Sequence, residues 1–217
     1  VSKPEKSVRQ ARRERTHTAI HTAALALVAE KGLKATTTDE IAAEAQVSPR
    51  TLFNYFAVKE DAVMGLRAPE LTEQILEKDA ARQHLDFFER LTHLLLDIIV
   101  ASVDGPTYTQ VHDLISRYPE LRYRMRLHNL ECEKTLQAFL LTVDWAAFRA
   151  AGRRGPFPSN AATTASAAGE EKASAAVHLA TALLRHLDFV RGVPEEAERQ
   201  QLISEAVQTF RYLLRED

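Results

Sequence analysis

The stretch Thr37 to Phe56, TTDEIAAEAQVSPRTLFNYF, constrains this chain more than any other. It contains two helix starts close together. Thr37-Thr38-Asp39-Glu40 is a capping box: Thr37 accepts an orphan amide of the new helix, and Glu40 reaches back to the Thr37 amide. Asp39 and Glu40 also suit the positive end of the helix dipole. Ser48 caps a second helix, with Pro49 at its first position, where the missing amide proton costs nothing. Ile41, Ala42 and Ala45 are expected to face inward, Val47 to plug the turn, and Leu52, Phe53 and Phe56 to supply the inner face of the second helix. Arg50, Thr51, Asn54 and Tyr55 are left pointing mostly outward. Two short helices joined by a tight turn, the second carrying polar side chains at its exposed start, follow from these residues alone.

A DNA major groove admits one α-helix, and base edges are read by short-range hydrogen bonds from its N-terminal half. Arg50 suits a bidentate contact to guanine. Thr51 suits a base edge or a thymine methyl, and Asn54 an adenine. Tyr55 and Thr38 are better placed for phosphates, as are amides at the helix starts. The same pattern also describes a helical hairpin with a wet polar face, which many α-proteins contain. Charge bears on the choice. Residues 1–67 hold 11 Lys and Arg against 8 Asp and Glu, while the whole chain carries a net charge of -2. A basic front end on an acidic body fits a DNA-facing part joined to one that is not.

The rest of the sequence points to helix. Ala, Leu, Glu and Arg dominate, Gly numbers only 7, and β-branched runs are missing. Residues 1–11 show no apolar periodicity and are expected to be a basic, mobile arm, suited to phosphates or a minor groove. From Arg12 to Lys31, Ile20, Ala23, Ala24, Leu27 and Val28 form one apolar stripe, and Gly32 stops the helix. Lys59-Glu60-Asp61 opens a fourth helix, with Ala62, Val63 and Leu66 following and Pro69 interrupting it. A short helix or linker from Leu71 to Lys78, then helices over His84–Val103, Thr107–Arg117 and Pro119–Leu141, come next. Gly152 to Gly169 reads as a mobile, low-complexity interlude. Two final helices run from Lys172 to Arg191 and from Pro194 onward. The single Cys132 cannot form an internal disulfide, which fits a reducing cytoplasm. No apolar run is long enough to span a membrane, since Asp97 cuts the best candidate, and the basic N-terminus lacks the apolar segment of a signal peptide.

Thr36-Thr37-Thr38, Asp39-Glu40-Ile41-Ala42, Val47-Ser48, Thr51-Leu52-Phe53, Tyr55-Phe56 and Lys59-Glu60 together resemble the N-terminal signature of TetR-family (tetracycline-repressor-like) transcription regulators. The resemblance runs from about Arg13 to Val63. It implies an all-α chain: a three-helix helix-turn-helix DNA-binding domain over 12–58, and a helical-bundle domain over 59–217 for ligand binding and dimerisation. It also implies that Tyr55 and Lys59 meet phosphates, and that Ser48, Pro49, Arg50 and Thr51 lie at the groove. Two positions depart from the family's pattern. Gln46 stands where the family usually has Gly; if the backbone there is left-handed, a non-Gly residue costs ~1 kcal/mol. Val58 stands where the family often has Ser, so the fourth helix loses a side-chain cap worth ~1 kcal/mol.

In the C-terminal part a pocket is expected among the helices. Its candidate lining residues are Phe88, Leu95, Ile99, Tyr108, Val111, Ile115, Met125, His128 and Trp145, each of which also reads as plain core. Aromatics mixed with a few polar groups suit a small, partly apolar effector. The last two helices carry Ala176, Leu179, Ala180, Leu183, Leu187, Leu202, Val207, Phe210 and Leu214 at helical spacing. Such stripes must be buried, against the chain's own core or, as the resemblance implies, in a four-helix homodimer interface that presents two reading helices to a palindromic double-stranded operator. His93 and Asp97, with His112 and His128 on neighbouring helices, are a weak metal pattern without HxxxH or CxxC support, so no metal, cofactor or catalytic residue is assigned. The favoured expectation is a ligand-released repressor. An activator or global regulator without a ligand, an all-α enzyme, and an adaptor binding a protein through its last two helices stand as alternatives.

Overall fold

The computed structural model describes residues 8–104, 108–159, 167–187 and 196–213, without the side chains of 108–112 and 196. The fold is all-α: the described residues form 11 helices and no strand. Two isolated antiparallel bridges join Leu66 to Val103 and Val143 to Ser159. The chain packs as two compact units, one holding the residues up to Arg67 with Val103–Met125, the other holding Ala68–Ser102 with the residues from Arg126 onward.

The first unit contains α1 (Val8–Lys31), α2 (Thr38–Glu44), α3 (Pro49–Tyr55), α4 (Lys59–Met64), α7 (Tyr108–Arg117) and the opening of α8 (Glu120–Leu140). The stripe of α1 behaves as its spacing requires: Ile20, Ala23, Ala24 and Val28 are buried against Ile41, Leu52, Phe56 and Val63. α1 is already helical at Val8, the first described residue, a turn before the apolar pattern begins, because Arg, Gln and Ala are good helix formers that need no buried face; residues 1–7 of the expected arm lie outside the described residues. α4 ends sooner than expected. Gly65 adopts a left-handed backbone (φ 62°) and caps it, so Leu66 leaves the helix and bridges Val103, and Pro69 plays no part in the stop. Leu121 and Met125, at the start of α8, complete this core.

The second unit contains α5 (Glu73–Ala81), α6 (Phe87–Ala101), the rest of α8, α9 (Trp145–Ala150), α10 (Ala167–Leu187) and α11 (Glu196–Leu213). Thr72, Asp86 and Asp144 cap α5, α6 and α9 by accepting backbone amides. α6 is the central helix, with every residue from Arg90 to Ile99 buried. Its buried charged members, Arg90 and Asp97, are paired. Arg90 is fully buried and donates to both Asp79 oxygens (3.0 and 2.6 Å) and to the Gly155 carbonyl (2.7 Å), with its guanidinium 4.2 Å from the Phe157 ring centroid. Arg82 donates to Asp97 at 2.6 Å. The front of the low-complexity interlude is therefore anchored rather than loose, while residues 160–166 lie outside the described set. α9 had no sequence-based counterpart: it is 6 residues long, too short for a periodic stripe.

Candidate nucleic-acid interface

The two capped helices are built by local chemistry. Thr37 and Glu40 close the capping box, with Thr37 N donating to Glu40 Oε2 at 2.9 Å and Glu40 N to Thr37 Oγ1 at 3.3 Å. Lys31 also donates to Glu40. That hydrogen bond, followed by those from the Thr37 side chain and backbone, holds the Glu40 carboxyl down to about 2. Gln46 does take the left-handed backbone (φ 55°), and α4 has no side-chain cap at Val58. Ser48 Oγ accepts the Thr51 amide at 3.1 Å and pairs with the Thr51 hydroxyl at 2.8 Å. α3 is pinned by Leu52 and Phe56, which are buried.

On the opposite face Ser48, Pro49, Arg50 and Asn54 are exposed, and Thr38 and Thr51 are half-buried. Phe53 corrects the sequence reading: it is 53% exposed and joins Arg50 and Asn54 on the outer face. Adjacent positions on a helix lie about 100° apart, so one hydrophobic anchor suffices at this point and Leu52 takes it. The outward position could have been read from the three-residue step between Arg50 and Phe53. An exposed Phe suits a thymine methyl. Tyr55 is half-buried against the core and meets His17 edge-on, with ring centroids 6.4 Å apart. Lys59 donates to the carbonyls of Leu33 and Thr36, both at 2.8 Å, so two of its three ammonium protons tie α4 to the end of the α1–α2 connection.

The expected pocket residues are distributed over both units. Leu95 and Ile99 are buried on α6, and His128 takes a 2.7 Å hydrogen bond with Ser102 beside Cys132, whose thiol burial pushes up to about 11. Ile115 and Met125 belong to the core of the first unit. The side chains of Tyr108 and Val111 lie outside the described residues. Phe88 and Trp145 share a cleft. Among the described residues no group of three or more His, Cys, Asp and Glu is placed to hold a metal. Of the stripe positions on α10 and α11, Ala176, Ala180, Leu183 and Val207 are buried within the chain's own core, Leu179, Leu187, Leu202 and Phe210 are half-buried, and Leu214 lies outside the described residues. Tyr212 and Leu213 are strongly exposed.

Residues 20–62 match the family of bacterial regulatory proteins described as the tetR family, a segment running from the middle of α1 into α4. No curated protein matches the chain. No helix among the described residues is long and apolar enough to cross a membrane. The matched segment contains the capping box, the Ser-Pro start of α3 and the exposed outer face of that helix; the chain thus carries a tetR-type DNA-binding segment and is a DNA-binding transcription regulator.

Proposed function

We propose that the protein is a homodimeric, cytoplasmic repressor that sits on a palindromic operator and is released by a small, partly apolar molecule bound in the second unit. The observation that carries the DNA part is the outer face of α3: Arg50, Phe53 and Asn54 are exposed while Leu52 and Phe56 hold the helix to its scaffold. Arg50 and Asn54 supply hydrogen bonds to base edges, and Phe53 supplies apolar contact. Thr38, Tyr55 and the remaining proton of Lys59 serve the phosphates, which set register and not sequence. Dimerisation is supported by the apolar remainder of α10 and α11, where Leu179, Leu187 and Phe210 are half-buried and Tyr212 and Leu213 exposed. By linkage, a ligand that weakens operator binding is itself weakened by the operator to the same factor.

The test is fluorescence anisotropy on operator fragments selected from genomic DNA, with sedimentation to give the stoichiometry. Arg50→Ala with Tyr55→Ala is expected to abolish specific binding. Unchanged affinity in that variant overturns the assignment of α3 as the reader.

A further inference from the structure

The second unit holds a cleft of ≈ 330 Å³ between the start of α6, α9 and α10. Its apolar wall includes Phe88, Trp145 and Phe148, with the Trp145 and Phe148 rings 6.4 Å apart and nearly perpendicular at 79°. Its charged lining is of one sign: Arg149, Arg153 and Lys172 contribute to it and no carboxylate does. All three cations are exposed, and among the described residues none of them forms an ion pair. Asp86, in the adjoining recess, is already engaged by the Phe88 amide and by Arg211.

Two further observations concern this cleft. Arg153 has a left-handed backbone (φ 59°), unfavourable for a residue with a Cβ, and its amide is held on the Phe148 carbonyl at 2.9 Å. The structure therefore over-determines where this arginine leaves the chain. Trp145 Nε1 is buried with no acceptor among the described residues, an orphaned donor on the aromatic wall of this lining.

We infer that the cleft takes an amphipathic organic anion. Its apolar body lies on the aromatic wall, its carboxylate-like head meets Arg149, Arg153 and Lys172, and an acceptor atom meets the Trp145 indole. Arginine favours this head group because its planar fork matches a carboxylate through two charge-assisted hydrogen bonds. This rests on the ligand-responsive reading above and gives the ligand's chemistry.

Trp145 is the single tryptophan of the chain, so its emission reports on this cleft directly. The full-length protein is titrated with phenylbutyrate, phenylbutanol and phenylbutylamine, which share one body, are transparent at the red edge of indole absorption and differ in head charge. Phenylbutyrate is expected to saturate at a concentration about tenfold below the alcohol, and the amine to bind weakest. The variant Arg149→Gln, Arg153→Gln, Lys172→Gln, altered only at exposed side chains and checked for helix content by circular dichroism, is expected to lose that order. Equal affinities for the three probes, or an anion preference that survives in the variant, overturns the inference. Operator anisotropy with the same probes separates the two readings. Phenylbutyrate that occupies the cleft yet leaves operator affinity unchanged sinks the ligand-released reading and leaves the chemistry of the cleft standing.

Discussion

His17 Nδ1 lies 3.0 Å from Asp104 Oδ2, across 87 residues of sequence. The carboxylate also accepts from Thr18 at 3.1 Å and from Arg67 at 2.8 Å, while the Asp104 amide donates to the Gly65 carbonyl at 2.7 Å. These contacts bind the returning chain after α6 to α1 and to the end of α4 inside the first unit. Burial pushes the Asp104 carboxyl up, but Arg67, His17 and Thr18 outweigh it, and the group sits below its ordinary range. Burial and then the Arg67 charge push His17 down, and a neutral ring has a single N–H for its two acceptors, Asp104 at 3.0 Å and the Leu66 carbonyl at 3.3 Å.

Acid is expected to weaken the first unit in steps. His17, Glu40 and Asp104 all bind their protons less readily folded than unfolded. The unfolded chain takes up protons first as pH falls, so the stabilisation is complete above the unfolded values and is lost as pH falls through the folded ones. The first step, below the ordinary histidine value of 6.5, belongs to His17. Urea midpoints at about pH 7.5 and about pH 5 should differ in the native chain and differ less in His17→Gln. Equal slopes in the two proteins would remove His17 from this account.

Gly65 and Gly32 should respond differently to alanine although both have positive φ, 62° and 84°. A Cβ on Gly65 would stand 2.6 Å from the Asp104 carbonyl oxygen, whereas one on Gly32 meets nothing within 4 Å. Gly32→Ala is expected to cost about 1 kcal/mol from backbone strain alone. Gly65→Ala should cost about 2–4 kcal/mol, because overpacking against backbone adds to the strain. Chemical denaturation of the two variants decides it; similar losses would mean that the Gly65 contact relaxes freely.

Gln46 carries its left-handed backbone (φ 55°) without the glycine that makes it cheap. Gln46→Gly relieves that strain but makes the unfolded chain more flexible. The net expectation is a gain of up to about 1 kcal/mol, read as a higher Tm. A lower Tm would show that the Gln46 side chain contributes more than its backbone costs.

Arg90 is fully buried with Asp79, and removing one member leaves the other charge uncompensated. Arg90→Ala is expected to destabilise the second unit by about 3–5 kcal/mol and to loosen the Gly155–Phe157 segment, visible as faster amide exchange there. A loss below about 1 kcal/mol would place this pair among the ineffective ones.

Lys59→Ala removes two hydrogen bonds from a charged donor and is expected to cost about 1.5–3 kcal/mol of stability. The salt dependence of operator binding reports separately on phosphate contact. A slope reduced by about one marks a phosphate partner, and an unchanged slope leaves Lys59 a clamp alone.

Much of the reading head was legible because its determinants are local. The Thr37–Glu40 box and the Ser48-Pro49 start each satisfy backbone amides within four residues, so the spacing of side chains reveals them without any tertiary knowledge. The left-handed turn at Gln46 was foreseen only through the family resemblance, which puts Gly at that position. Phe53 was not, because in a helix of 7 residues the apolar set admits two rotations about the axis, and only the packing of Leu52 and Phe56 on α1 selects one. The stop of α4 at Gly65, a local left-handed cap, was hidden behind the stronger breaker Pro69.

The sequence by itself determined the helical class, the two capped helices and the exposed Arg50 and Asn54, since caps and periodicity act over one or two turns. Tertiary structure alone decided that His17 meets Asp104, that Arg90 is neutralised by Asp79, and that Phe88, Trp145, Arg149, Arg153 and Lys172 line one cleft. The physical reason is that such pairings join groups from helices distant in the chain, and burial of their shared apolar faces, which no local spacing encodes, brings them together.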